Sequence, residues 1–202
     1  SYAGTVSTGV PVQAQRIVSS ATHVYVSGSS PAAVSVFRRD PASGLPIHDS
    51  VHTDAVPTGA SALALDRARA RLFVAGSGGQ IVQYALNTEA ASGPLGRLGA
   101  QGAAFSTGLA GIVDLALVPA NRSLYAASAT SARLDLLTYA DAGLTAVASY
   151  TRSATDAQPQ DADPLAGDGR IAIAPDGEHL YRVSASAGSL LGFRRDTLSG
   201  TL

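Results

Sequence analysis

The stretch Arg170-Ile-Ala-Ile-Ala-Pro-Asp-Gly-Glu-His-Leu-Tyr181, continued by Leu190-Leu-Gly-Phe-Arg-Arg-Asp196, decides how the chain is read. Two short apolar runs flank Pro175-Asp176-Gly177. In such a turn proline presets φ, aspartate bonds its own backbone and glycine supplies a positive φ. A third apolar run ends in an aromatic followed by charges, so the pattern predicts a three-strand antiparallel meander.

The unit recurs upstream. A second-strand aromatic falls at Tyr25, Phe73, Tyr125 and Tyr181, with spacings of 48, 52 and 56 residues. A third-strand aromatic follows 11 to 14 residues later, at Phe37, Tyr84, Tyr139 and Phe193. Eight of the chain's eleven Phe and Tyr residues thus sit at two repeat positions, where they are expected to pack between neighbouring units. Ten residues before each second-strand aromatic comes a short apolar first strand: Gln15-Arg-Ile-Val18, Leu63-Ala-Leu-Asp66, Leu115-Ala-Leu-Val118 and Ile171-Ala-Ile-Ala174. After the third strand, Phe37-Arg-Arg-Asp-Pro-Ala-Ser-Gly44 and Phe193-Arg-Arg-Asp-Thr-Leu-Ser-Gly200 place a glycine behind a polar loop, with looser equivalents ending at Gly93 and Gly143. A fourth strand is expected after each of the first three, over residues 45–51, 95–100 and 144–150.

Four strands per ~50-residue repeat is the pattern of propeller blades. A β-sandwich also has short strands and regular turns but needs no internal repeat. The sequence therefore predicts an all-β chain, a β-propeller of four four-stranded antiparallel blades. They fall at about residues 10–53, 54–101, 102–155 and 156–202 of one domain, as a closed small ring, half of a larger ring or a fragment. Blade four stops where its outermost strand should begin, and residues 1–7 precede the first inner strand where an outermost strand should end. Joining the ends gives 17 residues from Gly200 to Gln15, against 19 from Gly44 to Leu63. Residues 1–7 are accordingly expected to pair with residues 190–195 as a closing outer strand. Such a strand, from the same chain or a second copy, would cover an exposed sheet edge, so a homodimer or association with further blades is expected.

Composition excludes several classes. The apolar fraction of 46% is enough for a sizeable core, and 14 basic against 15 acidic residues leave a net charge of −1. That balance carries no electrostatic footprint for nucleic acid or an anionic membrane surface. With no cysteine there is no disulfide, thiolate metal site or thiol nucleophile. No apolar run approaches the 18 or so residues a spanning helix requires, so membrane insertion is not expected. The chain opens at Ser1 and has no Met, which reads as a processed form or an excised piece. All fourteen basic residues are Arg, and Ala and Gly abound, as in a GC-rich bacterial gene. An exported protein, extracellular, cell-surface or periplasmic, is expected.

Ala174-Pro-Asp-Gly-Glu-His-Leu-Tyr181 and Val34-Ser-Val-Phe-Arg-Arg-Asp-Pro-Ala-Ser-Gly44-Leu45 resemble the repeat of the lactonase-type β-propellers, the group that includes bacterial 6-phosphogluconolactonase and the fungal muconate lactonising enzyme. The resemblance spans the four blades. It implies the propeller fold and, for the seven-bladed enzymes of the family, a channel carrying His, Glu and Arg, commonly with a Pro-His pair entering an inner strand. This sequence has no Pro-His pair, and its only glutamates are Glu89, in an outer loop, and Glu178, in a hairpin turn. Only Arg170 stands where a family channel arginine is implied, so the enzyme's site is not carried over.

The residues just before the inner strands are Ala14, Ala62, Asp114 and Arg170. Asp114 and Arg170, with Gln15 and Asp168 beside the same strands, are the candidates for binding a polar ligand. In a lactone hydrolase Asp114 and Arg170 would polarise the carbonyl. The plainer alternative is a structural ion pair. Asp161, Asp163 and Asp168 offer three carboxylates to a hard cation, yet they lack the Asp-x-Asp-x-Asp-Gly spacing. A mobile, metal-free acidic loop is expected there. His48-Asp49 and His52-x-Asp54 lie on and just past an outer strand and read as surface pairs, while His23 and His179 share one repeat position and read as structural. There is no Gly-x-Ser-x-Gly elbow, and Gly76-Ser-Gly-Gly79 joins two strands where a phosphate loop would open a helix. Asn121-Arg-Ser123 matches a glycosylation sequon. The leading expectation is a non-catalytic interaction module that takes a protein or small polar ligand at its channel face without a cofactor. The alternative is a propeller-type lactone hydrolase whose remaining catalytic residues lie outside this chain.

Overall fold

The computed structural model describes residues 13–89, 96–152 and 163–202. Blade one is β1 (Ala14–Ser19), β2 (His23–Ser29), β3 (Ala32–Arg39) and β4 (Pro46–His52), hydrogen-bonded in that order. Blade two is β5 (Ala60–Asp66), β6 (Arg71–Gly76), β7 (Gln80–Leu86) and β8 (Leu98–Gln101), followed by the two-residue β9 (Phe105–Ser106). Blade three is β10 (Ile112–Val118), β11 (Ser123–Ser128), β12 (Arg133–Ala140) and β13 (Gly143–Thr151). Blade four comprises β14 (Ile171–Ile173), β15 (His179–Ser184) and β16 (Ser189–Arg194). The chain is an all-β propeller, its meanders antiparallel throughout, and the three expected outer strands fall within one to three residues of β4, β8 and β13. The proposed closing strand at residues 1–7 lies outside the described residues. Among the described residues no helix is long and apolar enough to cross a membrane.

Local chemistry sets the hairpins. At Pro175-Asp176-Gly177 the Gly177 N–H donates to the Ala174 carbonyl at 2.9 Å and Asp176 Oδ1 accepts the Glu178 N–H at 2.8 Å. Gly177 has φ +74°, a conformation with little steric cost only for glycine. The turn that follows the third strand is closed the same way three times. Gly44 N–H donates to Asp40 O and Asp40 N–H to Leu45 O; Gly96 and Asn87 do the same with Arg97, and Gly200 and Asp196 with Thr201. Asp40 and Asp196 each accept two further backbone N–H groups, which hold both carboxyls below the usual carboxylate range.

The chain divides into two compact units, one holding blades one and two, the other blades three and four together with Ser77–Gln80. Within each unit two blades pack face to face. In the first, Tyr25, Val34, Val36, Leu63, Leu72, Val74 and Tyr84 form one buried cluster. In the second, Tyr125, Leu134, Leu136, Ile171 and Leu180 form another, with Phe193 half-buried against it. Strand alternation explains the arrangement. Within each unit the second-strand aromatic of one blade meets the third-strand aromatic of the next in one cluster: Tyr25 and Tyr84 in the first, Tyr125 and Phe193 in the second. Six of the eight repeat aromatics are buried as expected. Tyr181 is not: it is 40% exposed, on the side of blade four opposite buried Leu180 and beside exposed Val183 and Leu190.

In each unit a tyrosine hydroxyl also latches one blade to the next. The Tyr25 hydroxyl donates to the Gly96 carbonyl at 2.7 Å, and the Tyr125 hydroxyl to the Gly200 carbonyl at 2.5 Å. Neither glycine could gain a side chain. A Cβ on Gly96 would lie 2.2 Å from His23 Nδ1, and one on Gly200 would lie 2.3 Å from Ser123 Oγ, both at positive φ. His23 and His179 stack on the tyrosines two residues on, Tyr25 and Tyr181, each at 6.3 Å between centroids.

Candidate functional site at the start of the first strands

The register defines which residues occupy equivalent places. In β1, β5 and β10 the pairing slips by one residue at Gln15, Ser61 and Val113, a β-bulge at the same point of each blade. Beyond the bulge, Arg16, Ala62 and Asp114 occupy one position, and Arg170 matches them from the first strand of blade four. This corrects the sequence alignment, which placed Ala14 there. Val18 pairs with Tyr25, seven residues on, whereas Ala64, Ala116 and Ala172 pair with aromatics nine residues on. The first hairpin is two residues shorter, and counting back from the aromatic overshoots. The equivalent set is therefore Arg16, Ala62, Asp114 and Arg170, and Arg16 joins the candidates.

The second unit brings Asp114 and Arg170 together. Buried Asp114 accepts the Ile171 N–H on Oδ2 at 3.0 Å, and Arg170 Nη1 donates to the Val113 carbonyl at 3.1 Å. Each side chain bonds the backbone beside the other, which staples β10 to β14. Asp168 is exposed, and its carbonyl accepts the Ala185 N–H at 3.2 Å. Gln15 belongs to the other unit, where its amide donates to Ser29 Oγ at 3.0 Å.

Behind this pair stands a residue the sequence reading missed. Arg182 is fully buried, and its guanidinium donates to the carbonyls of Ser128 (2.9 Å), Leu165 (2.5 Å) and Arg133 (3.4 Å). Burial lowers its pKa, and the charges of Asp163 and Asp114 oppose that shift. The signal was present in the alternation of β15: Arg182 is two residues from core Leu180 and so shares its face.

Of the three acidic-loop candidates for a cation, Asp161 lies outside the described residues. Asp163 Oδ1 accepts the Leu165 N–H at 2.8 Å, which seats buried Leu165, and Gly167 N–H donates to Ala129 O at 3.0 Å. This part of the loop is a turn fastened to blade three, with Asp168 pointing outward. A different trio, Asp176, Glu178 and His179, has ligand atoms all within 4.8 Å of one another at the hairpin tip of blade four. Two open clefts lie elsewhere, one of about 410 Å³ along Glu178, Arg194, Asp196 and Thr201, and one of about 230 Å³ along Thr22, Tyr25, Arg67 and Asn87.

Asp49, read from sequence as a surface partner of His48, instead bridges blades one and two. Its carboxylate accepts Arg97 Nε at 2.5 Å and Nη2 at 2.9 Å, and that bidentate bond holds its pKa down. His48 packs edge-on against Phe37. A carboxyl depressed in the folded state stabilises above its unfolded pKa, near 4, and loses that contribution as pH falls through the folded value. Asp49→Asn is expected to lower the melting temperature at pH 6–7, with the gap to the wild type closing as pH falls below the unfolded value and through the lowered folded one. Thermal melts across that range check this, and a constant gap down to pH 2 would rule it out.

No known protein-family profile matches the chain, and no curated protein does. Solved structures do. A Bacteroides uniformis protein with a provisional 6-phosphogluconolactonase assignment superposes at TM-score 0.72 with 16% identity, over 93% of this chain and 52% of its own. A Bacteroides fragilis protein with the same provisional assignment gives 0.67 and 17%, over 92% and 54%. The Swd1 β-propeller domain of Myceliophteria thermophila gives 0.64 and 12%, over 91% and 51%. These neighbours show the fold: the chain is built as a β-propeller, and lactonase-type propellers are among its structural neighbours. It spans about half the length of the chains it matches.

Proposed function

We propose that this chain is a non-catalytic β-propeller binding module of an exported or surface bacterial protein, taking a polar ligand or protein partner at the open ends of its first strands. The observation that carries the reading is the engagement of Asp114 and Arg170 with backbone. One bonds the Ile171 N–H and the other the Val113 carbonyl, an assignment to holding strands together. Asp168 and the exposed part of Arg170 remain on the rim as the polar contacts. The fold does not choose between chemistry and binding, since lactonase-type and Swd1 propellers share it. What supports binding is the local chemistry of the site and the missing Pro-His pair of the family.

The second reading, a lactone hydrolase, rests on Arg170 standing at a family channel position. An assay with simple five- and six-membered lactones separates the two, run on the wild type and on Arg170→Ala and Asp114→Ala. The binding reading expects the same background hydrolysis from all three. Turnover by the wild type that either substitution abolishes would overturn it, and fractionation of source cells checks the exported location.

A further inference from the structure

The seam between blades one and two, which lies within one compact unit, is bordered by two histidines. His23, at the start of β2, is 3% exposed. Its ring sits directly against Gly96, which closes the turn after β7: a Cβ there would fall 2.2, 2.5 and 2.7 Å from ring atoms Nδ1, Cε1 and Cγ. The carbonyl of the same glycine accepts the Tyr25 hydroxyl, and the Tyr25 ring stacks on His23. Nδ1 shares a 2.9 Å hydrogen bond with Thr22 Oγ1. Blade-one residues thus hold the imidazole on one side and a blade-two turn closes over it on the other.

His52, at the end of β4, is half-buried. Its Nε2 lies 3.2 Å from Ser50 Oγ, which donates to Asp49 Oδ2 at 3.3 Å, and Asp49 in turn holds Arg97, the neighbour of Gly96. Burial is the largest influence on both imidazoles and holds both pKa values below the usual one. The charges that reach His23 are Asp49, which favours a proton, and Arg38 of β3 and Arg97, which oppose it. Those that reach His52 are Arg97 against a proton and Asp49 and Asp54 in favour. The carboxylate common to both, Asp49, is already engaged by Arg97 in its bidentate bond.

A proton placed on either ring while the seam is closed therefore sets an imidazolium in a desolvated site near the Arg97 guanidinium. Once the blades part, the ring is hydrated and takes the proton at its ordinary value of about 6.5. The open form binds more protons than the closed one, so the seam is tightest above that pH and loosens as pH falls from it through the lowered closed-form values. We propose that this seam is an acid-sensitive latch: between neutral pH and about pH 5, proton uptake by His23 and His52 loosens blade two from blade one, while blades three and four, in the other unit, keep their protection. The Asp49 carboxyl, held low by its bond to Arg97, titrates below this range and is not the sensor. The proposal goes beyond the binding reading and does not depend on the ligand.

Hydrogen exchange of the 202-residue chain between pH 7.5 and 5, read by mass spectrometry and corrected for the intrinsic rate, tests it. Residues 23–29 and 96–101 are expected to exchange several-fold faster at the lower pH, with β11 and β12 unchanged. His23→Gln and His52→Gln should each reduce that rise, and together they should abolish it. His179→Gln should leave it as in the wild type, because His179 stacks on Tyr181 as His23 does on Tyr25 but has a side chain 42% exposed. The readout is the change with pH, so a lower starting stability in a variant does not obscure it. Nitrogen-detected NMR of the wild-type imidazoles needs no variant, and His23 should titrate below its ordinary value. Exchange in residues 23–29 and 96–101 that is flat across this range overturns the proposal. So does an equal rise in β11 and β12, a rise that survives the double substitution, or a His23 midpoint at or above about 6.5.

Discussion

Truncating Tyr125 to alanine is expected to cost ~3–5 kcal/mol, whereas the same change at Tyr181, its repeat equivalent, costs less than ~1 kcal/mol in the monomer. The two residues share a strand position and a chemical type, so the difference isolates what the neighbouring blade adds. Tyr125 has no exposed surface and packs with Leu134, Leu136, Ile171 and Leu180. Its hydroxyl donates to the Gly200 carbonyl and accepts Arg195 Nε at 2.6 Å, and the guanidinium lies 6.0 Å from the ring centroid. Removing the ring leaves a cavity, an unpaired carbonyl and a buried arginine short of a partner. Tyr125→Phe keeps the packing and loses the two polar contacts, so ~1–3 kcal/mol is expected of it. Burial raises the pKa of this phenol, so the hydroxyl stays a donor through the neutral range. Urea denaturation of the three variants, at concentrations too low for association, gives the comparison. Equal losses at Tyr125 and Tyr181 would show that blade packing is not what buries the repeat aromatics.

The fold was legible because the repeat is written in residues with few alternative uses. Aromatics at two fixed places, a glycine after each polar loop and short apolar runs between them mark strands, turns and faces together. Where legibility failed, the failures are specific. Tyr181 has the same local sequence signal as Tyr25 and Tyr125, and alternation puts all three on one face; whether a blade lies over that face is non-local information. The position of Arg16 was missed because the hairpin between β1 and β2 is two residues shorter than its counterparts, and a count along the sequence assumes equal hairpins. Asp49 read as a surface partner of His48, yet its Arg97 partner lies 48 residues away on the next blade, a distance close to the repeat length. For the candidate site, the sequence placed Asp114 and Arg170 at equivalent points, and the structure adds what each side chain bonds. Chemistry read from residue type alone treats both as available to a ligand. The bonds to the Ile171 N–H and Val113 carbonyl are visible only once β10 and β14 are side by side.

Arg182→Met is the second large effect, expected to cost ~3–5 kcal/mol. Out of a typical total of 5–15 kcal/mol for a domain, that is enough to unfold a marginal one. Methionine fills most of the arginine stem, so lost packing is a small part of the cost. The larger part is polar. The carbonyls of Ser128, Leu165 and Arg133 lose the guanidinium that donates to them, and a buried acceptor left without its donor costs ~1–3 kcal/mol. Asp114 and Asp163 lose the attraction of the Arg182 positive charge, which their own charges favour. Replacing an entire buried ionic group by apolar residues is often neutral, but replacing only the cation strands its partners, which is the costly case. Arg182→Lys restores the charge without the planar fork that reaches three carbonyls, so it should recover only part of the loss. Because every partner named lies in the second unit, the effect is also expected to be local. Hydrogen exchange read by mass spectrometry should show faster exchange in β11, β12 and β15, while β2 and β6 keep wild-type protection. A methionine variant as stable as the wild type would mean that the Arg182 guanidinium is not what holds residues 163–168 against blade three.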